Sequence, residues 1–100
     1  MKTTDAVKSL GALAQESRLE VFRLLVRKGP AGMAAGELSE HFASPPATMS
    51  FHLKELTNAG LISARRESRS IIYSANYGHM QKLIDFLLEN CCADNGGRCS

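Results

Sequence analysis

Apolar residues recur at spacings of three and four along most of this chain, and one short middle stretch breaks that rhythm. Val7, Leu10, Leu13 and Ala14 predict a first helix from about Asp5 to Ala14, with Thr4 as its N-cap. Leu19, Phe22, Leu25 and Val26 predict a second from about Ser17 to Lys28, with a Ser or Glu cap. Cations, glycine and proline at Arg27-Lys28-Gly29-Pro30 end it. A small-residue loop over 30–35 leads to a short helical pattern, Gly36 to Phe42. The next stretch, Pro45 to Gly60, carries Met49, Leu53 and Leu56 on one side and Thr48, Ser50, Phe51, Lys54 and Glu55 elsewhere. Ser44 is the expected N-cap and Gly60 the C-terminal stop. Two short helices joined by a tight turn make a helix-turn-helix, whose second helix enters a DNA major groove.

After Gly60 the pattern changes. Leu61 to Arg66 and Ser70 to Ser74 predict two strands, with Glu67-Ser68-Arg69 as the hairpin turn. A hairpin in this position is a wing. Arg65, Arg66 and Arg69 on it are candidates for phosphate or minor-groove contact, and a solvated charged turn is the plain alternative. A last helix from about Tyr77 to Asn90, capped by Asn76, carries Met80, Leu83, Ile84, Leu87 and Leu88. That stripe is wider than packing on a small core requires, so it reads either as a dimer interface or as monomer core. The fold class is mainly α (α+β), a winged helix-turn-helix of order ααααββα. Residues 1–90 are expected to form one DNA-binding and dimerisation domain, and 91–100 a flexible tail.

Composition narrows the function. One hundred residues make one domain with a modest core, and 44% hydrophobic residues without a long apolar run give no membrane span. No secretion-signal layout is visible at the start, so the expected location is cytoplasmic, where the three cysteines are thiols rather than disulfides. The formal charge is only +2. Residues 44–75 carry Lys54, Arg65, Arg66 and Arg69 against Glu55 and Glu67, net +2, and residues 76–100 carry Lys82 and Arg98 against Asp85, Glu89 and Asp94, net −1. Such a balance suits a binder with a few placed contacts. No nucleophile–base constellation argues for an enzyme.

The residues resemble the ArsR/SmtB family of winged-helix metal- and metalloid-responsive repressors. The likeness runs from Leu13-Ala14 and Ser17-Arg18-Leu19 with Phe22 to Leu25, through Glu37-Leu38-Ser39 and Pro46 to Leu56, to Ala59 to Ile62, Arg65 to Arg69 and Ile72-Tyr73. It covers nearly the whole chain. The resemblance implies a homodimer joined by its first and last helices that binds double-stranded operator DNA when free of inducer. It places Ala47, Thr48, Ser50, Phe51 and His52 where the family contacts bases and phosphates, with Lys54 on the same helix. Ala47 and Phe51 depart from the polar residues common there. Phe51 either touches a thymine methyl or packs, and His52 is either a phosphate contact or a structural histidine.

Within that family the inducer site varies. The helix before the recognition helix has no Cys-x-Cys, and Asn76, Gly78, His79, Asp85 and Glu89 do not form the family's zinc pattern, which argues against zinc. Cys91, Cys92 and Cys99 remain, all in the last ten residues. Cys91 is expected to continue the last helix's stripe as Leu87 plus four, and a polar loop could return Cys99 at little closure cost. Three thiolates suit a soft acceptor that needs no fourth ligand. As(III) has that chemistry, with Sb(III) by similarity, and this cysteine set is similar to the family's arsenite-responsive repressors. A frayed tail that merely holds thiols is the alternative structural reading. The functional expectation is a repressor released from its operator by As(III), with no catalytic cofactor. A redox-sensing repressor using the same cysteines is the competing reading.

Overall fold

The computed structural model describes residues 1–96. Five helices run α1 Thr3–Leu13, α2 Glu16–Lys28, α3 Ala35–His41, α4 Pro46–Asn58 and α5 Tyr77–Leu88, with strands β1 Met33–Ala34, β2 Ile62–Glu67 and β3 Ser70–Ala75. All pairings in the three-stranded sheet are antiparallel, in the order β1-β3-β2. The winged helix-turn-helix expected from the sequence is present. No helix among the described residues is long and apolar enough to cross a membrane.

Several local expectations are corrected. The predicted loop at 30–35 holds a 3-10 turn, Gly29–Ala31, and then β1, whose Met33 and Ala34 pair with Tyr73 and Ile72. Two residues are too few for a period-two pattern to show in the sequence. Gly32 makes the close approach possible: its φ is +66°, and a Cβ there would collide with the Tyr73 carbonyl. The N-cap of α1 is Lys2 rather than Thr4, and the Asp5 carboxylate accepts its backbone N–H at 3.3 Å. Gln15 caps α2, its side chain accepting from Arg18 N–H at 2.8 Å. Pro45, not Ser44, occupies the N-cap of α4. The proline's fixed φ of −57° pre-sets the turn, and Ser44 instead donates its backbone N–H to the Ser39 carbonyl at 2.9 Å.

The core lies where α2, α3, α4 and the base of the sheet meet. Leu25, Leu38, Met49, Leu53, Leu56 and Leu61 are fully buried there. The expected stripe of α4 is therefore its buried face. The stripes of α1, α2 and α5 are partly displaced. In α1 the buried positions are Ala6, Ser9 and Ala12, with Val7 and Leu10 exposed. In α2, Val21 and Leu24 join Phe22 and Leu25, leaving Leu19 and Val26 at the surface. In α5 only Leu83 is buried, while Ile84, Leu87 and Leu88 are exposed. Large apolar residues on α1 and α5 do not face this chain's own core; in α1 the smaller Ala6, Ser9 and Ala12 turn inward instead, and in α5 Leu83 alone does.

The C-terminus of α4 is closed by a Schellman motif. Leu61 N–H donates to the Leu56 carbonyl and Gly60 N–H to the Thr57 carbonyl, both at 3.0 Å. Gly60 has φ +81°, and a Cβ on it would lie 3.0 Å from the His79 ring. Gly60→Ala is expected to destabilise the fold by about 1–2 kcal/mol, from left-handed strain and crowding together. Urea unfolding would show the midpoint falling with the slope unchanged, and an unshifted midpoint would refute the account.

Candidate nucleic-acid interface and cysteine cluster

The outward side of α4 presents Ala47, Thr48, Ser50, Phe51 and Lys54, all exposed. They stand outward because Met49, Leu53 and Leu56, interleaved among them, are drawn into the core. Pro46 starts the helix and leaves its first turn open at the surface, as the second helix of a helix-turn-helix requires. Phe51 is 52% exposed, its one ring contact being His52, 6.1 Å away and tilted.

His52 does not share that surface. It is 8% exposed, and its Nδ1 is buried without a hydrogen-bond partner among the described residues. Burial lowers its pKa below the ordinary 6.5, and the nearby Arg18 cation lowers it further. The ring is thus neutral near pH 7 and lies on the inward side of the recognition helix, apart from the exposed residues of that helix. Arg18 is itself anchored, donating Nε–H to the Ala12 carbonyl at 2.7 Å.

The wing arginines divide in the same way. The Arg65 guanidinium donates to the Pro30 and Ala31 carbonyls at 2.8 and 2.9 Å and to the Glu67 carboxylate at 2.6 Å. It fastens the wing to the turn after α2, so this guanidinium already has protein partners in the fold. Arg66, on the opposite face of β2 by strand alternation, and Arg69, beside Ser68 in the turn, are exposed. Together with Lys54 they are exposed cations of α4 and the wing.

A hydrogen-bonded node not anticipated from the sequence fixes the far end of α4. Ser9 of α1, fully buried, donates Oγ–H to the Ala59 carbonyl at 3.3 Å and lies 2.8 Å from His79 Nε2 of α5. A hydroxyl has one proton, so with that proton on Ala59 the imidazole is the donor through Nε2–H. Asn76 caps α5 as expected and accepts His79 N–H at 3.1 Å, steadying the histidine's backbone. The one sequence signal was the run of small residues Ala6, Ser9 and Ala12 at spacing three.

At the other end of α5 the cysteine expectations are partly displaced. The helix stops at Leu88, not Asn90: Glu89 turns to φ −55°, ψ 133°, and Asn90 and Cys92 adopt left-handed φ of 61° and 60°. Cys91 therefore does not continue the helical stripe and lies in the turn that follows it. Cys91 and Cys92 Sγ are 3.5 Å apart. Two sulfurs bound to one centre by thiolate bonds of about 2.3 Å can be up to about 4.6 Å apart, so this spacing would suit a shared soft ligand with both sulfurs as thiolates. Cys92 is free among the described residues, whereas Cys91 is disulfide-bonded. Cys99, the third expected ligand, lies outside the described residues, and among those residues no group of three or more His, Cys, Asp or Glu could hold a metal ion.

Comparison with known proteins decides the family. The Helix-turn-helix domain family matches residues 13–64. The Staphylococcus aureus arsenical resistance operon repressor is 31% identical over 78% of this chain and 72% of its own length. The chain belongs to the ArsR/SmtB family. The Vibrio cholerae transcriptional activator HlyU is 29% identical over 93% of this chain and 83% of its own. A solved ArsR-like transcriptional regulator from Rhodococcus sp. RHA1 superposes with a TM-score of 0.78 at 25% identity, over 91% of this chain and 82% of that one. As an ArsR/SmtB member the chain is a DNA-binding transcriptional regulator and not an enzyme.

The neutral, buried His52 makes stability depend on pH with a definite sign. In the unfolded chain the ring takes up a proton near its ordinary value of 6.5, and in the fold only at lower pH. The unfolded state thus binds more protons as pH falls through that window, and stability drops there while remaining flat in this respect above it. The urea midpoint of wild type is expected to fall between pH 7 and 5 by more than that of His52→Leu. Equal losses in the two proteins would exclude His52 as the cause.

Proposed function

We propose that the chain is a homodimeric repressor released from operator DNA by As(III), and by Sb(III) through the same chemistry. The observation that carries this reading is the paired Cys91 and Cys92 sulfurs at 3.5 Å, directly after the helix whose outer face is apolar. Val7 and Leu88, each 62% exposed, with Leu10, Ile84 and Leu87, give α1 and α5 a surface that a second copy of the chain would cover. Support for the ligand comes from relatives named as arsenical resistance operon repressors in Staphylococcus aureus and Staphylococcus xylosus. Ala47, Thr48, Ser50, Phe51 and Lys54 meet the major groove and its flanking phosphates, and Arg66 and Arg69 the backbone beside it. Once a cellular thiol reductant has opened the disulfide at Cys91, metalloid capture by Cys91, Cys92 and the Cys99 of the tail ties residues 91–100 to the end of α5. The two subunits then shift, and the spacing of their α4 helices no longer matches successive grooves. Linkage requires DNA to weaken metalloid binding by the same factor.

One observation favours a second reading, in which a peroxide or a disulfide withdraws two electrons and two protons from a thiol pair. Cys91 is disulfide-bonded, so the oxidised form is compatible with the fold. Fluorescence anisotropy on DNA upstream of the protein's own gene separates the two. Under reducing conditions arsenite is expected to dissociate the complex, and Cys91→Ser, Cys92→Ser and Cys99→Ser each to block release without weakening DNA binding. Release by oxidant alone, with arsenite inert, would favour the redox sensor. The dimer has its own check: Leu87→Glu is expected to yield a folded monomer by sedimentation and to weaken operator binding at least tenfold, and a dimer unaffected by that change would exclude the α5 interface.

A further inference from the structure

Phe51 stands in the middle of α4 on its solvent side, 52% exposed, away from the apolar surface of α1 and α5. Ala47 and Thr48 precede it by four and three residues and so lie beside it on the same face. Together they form an apolar step of a phenyl ring and two methyl groups. Equally telling is which residues α4 lacks. Its sequence holds no arginine and no glutamine, its asparagine, Asn58, is the last residue, and Lys54 is its single cation. The bidentate pairings of a major groove use Arg or Lys for guanine and Asn or Gln for adenine, so Lys54 is the one residue of α4 before its last position that could make such a pairing. The one apolar feature on a base edge in that groove is the C5 methyl of thymine.

We infer that Phe51, flanked by Ala47 and Thr48, reads thymine methyl groups, so that each operator half-site places thymine beneath the centre of α4 and specificity rests on methyl contact more than on bidentate hydrogen bonds. This deepens the DNA-binding reading above and depends on it. Ser50 and Lys54 supply polar contacts that position the helix, and the phenyl ring excludes cytosine by offering no partner to its amino group. A buried methyl-sized group supplies roughly a fourfold preference, so a two-fold symmetric site with one methyl per half would give roughly fifteenfold.

The test uses the full reduced chain and the tightest duplex it selects from random DNA, resynthesised with deoxyuridine in place of thymidine at each symmetric pair of positions. At one pair or more, wild type is expected to lose affinity roughly fifteenfold on removal of the two methyls. Phe51→Ala is expected to bind the thymine duplex more weakly and to show a thymine-to-uracil ratio near one, with its thermal midpoint unchanged because the ring is exposed. Wild type indifferent to every substitution, or Phe51→Ala retaining the full uracil penalty, would overturn the inference while leaving DNA binding intact. A chain that selects no duplex at all would overturn the DNA-binding reading and this inference with it.

Discussion

The arrangement depends on the way α4 is gripped along its inner side and at its C-terminal end. Met49, Leu53 and Leu56 sink into the core, and the Schellman bonds at Gly60 and Leu61 stop the helix at a defined residue. Ser9 then holds the Ala59 carbonyl, and His79 holds Ser9. Unpaired carbonyls at a helix end are costly when buried, and here one is satisfied by a side chain from a different helix. The recognition helix is thus fastened at its far end to α1 and α5, the two helices whose outer faces are apolar. A helix so fixed has little freedom to tilt independently of them.

Much of this was legible in the residues. The order of the five helices and the hairpin, the buried stripe of α4, Asn76 as a cap and Gly60 as a stop follow from spacing and from residues with one strong local preference. What was not legible came from competition among equals. In α1, Val7 and Leu10 outrank Ala6 and Ala12 in hydrophobicity, yet the smaller residues fit the close approach to the core, and periodicity could not reveal which apolar face turns inward. The same ambiguity touched α2 and α5. At the candidate site, Ala47, Thr48, Ser50, Phe51 and Lys54 fell on the exposed side, whereas His52 is buried and Arg65 is hydrogen-bonded to the turn after α2. A histidine next to a stripe leucine is ambiguous in sequence. An arginine on a strand gives no sign that the Pro30 and Ala31 carbonyls wait within reach of its guanidinium.

The end of α5 shows how a local rule can be overridden. Continuing the helical period through Cys91 was reasonable, but Glu89 leaves helical geometry and Asn90 accepts a left-handed φ, which Asn tolerates better than most residues. This break brings the Cys91 and Cys92 sulfurs together instead of leaving them on different faces of a helix. Residues i and i+1 on a helix do not face each other, so the turn is what sets the two sulfurs side by side.

The electrostatics fit a division of labour on the DNA side. Besides Arg65, which is hydrogen-bonded to the turn after α2, the cations of α4 and the wing are Lys54, Arg66 and Arg69, and the chain as a whole carries only +2. Phosphate contact and counterion release alone would then give modest affinity and a shallow dependence on salt. Discrimination must come from shape and from the few side chains that meet base edges. A helix held by its buried stripe and pinned at its end needs little ordering of its backbone on binding, so little contact energy is spent on immobilising the element that carries Phe51.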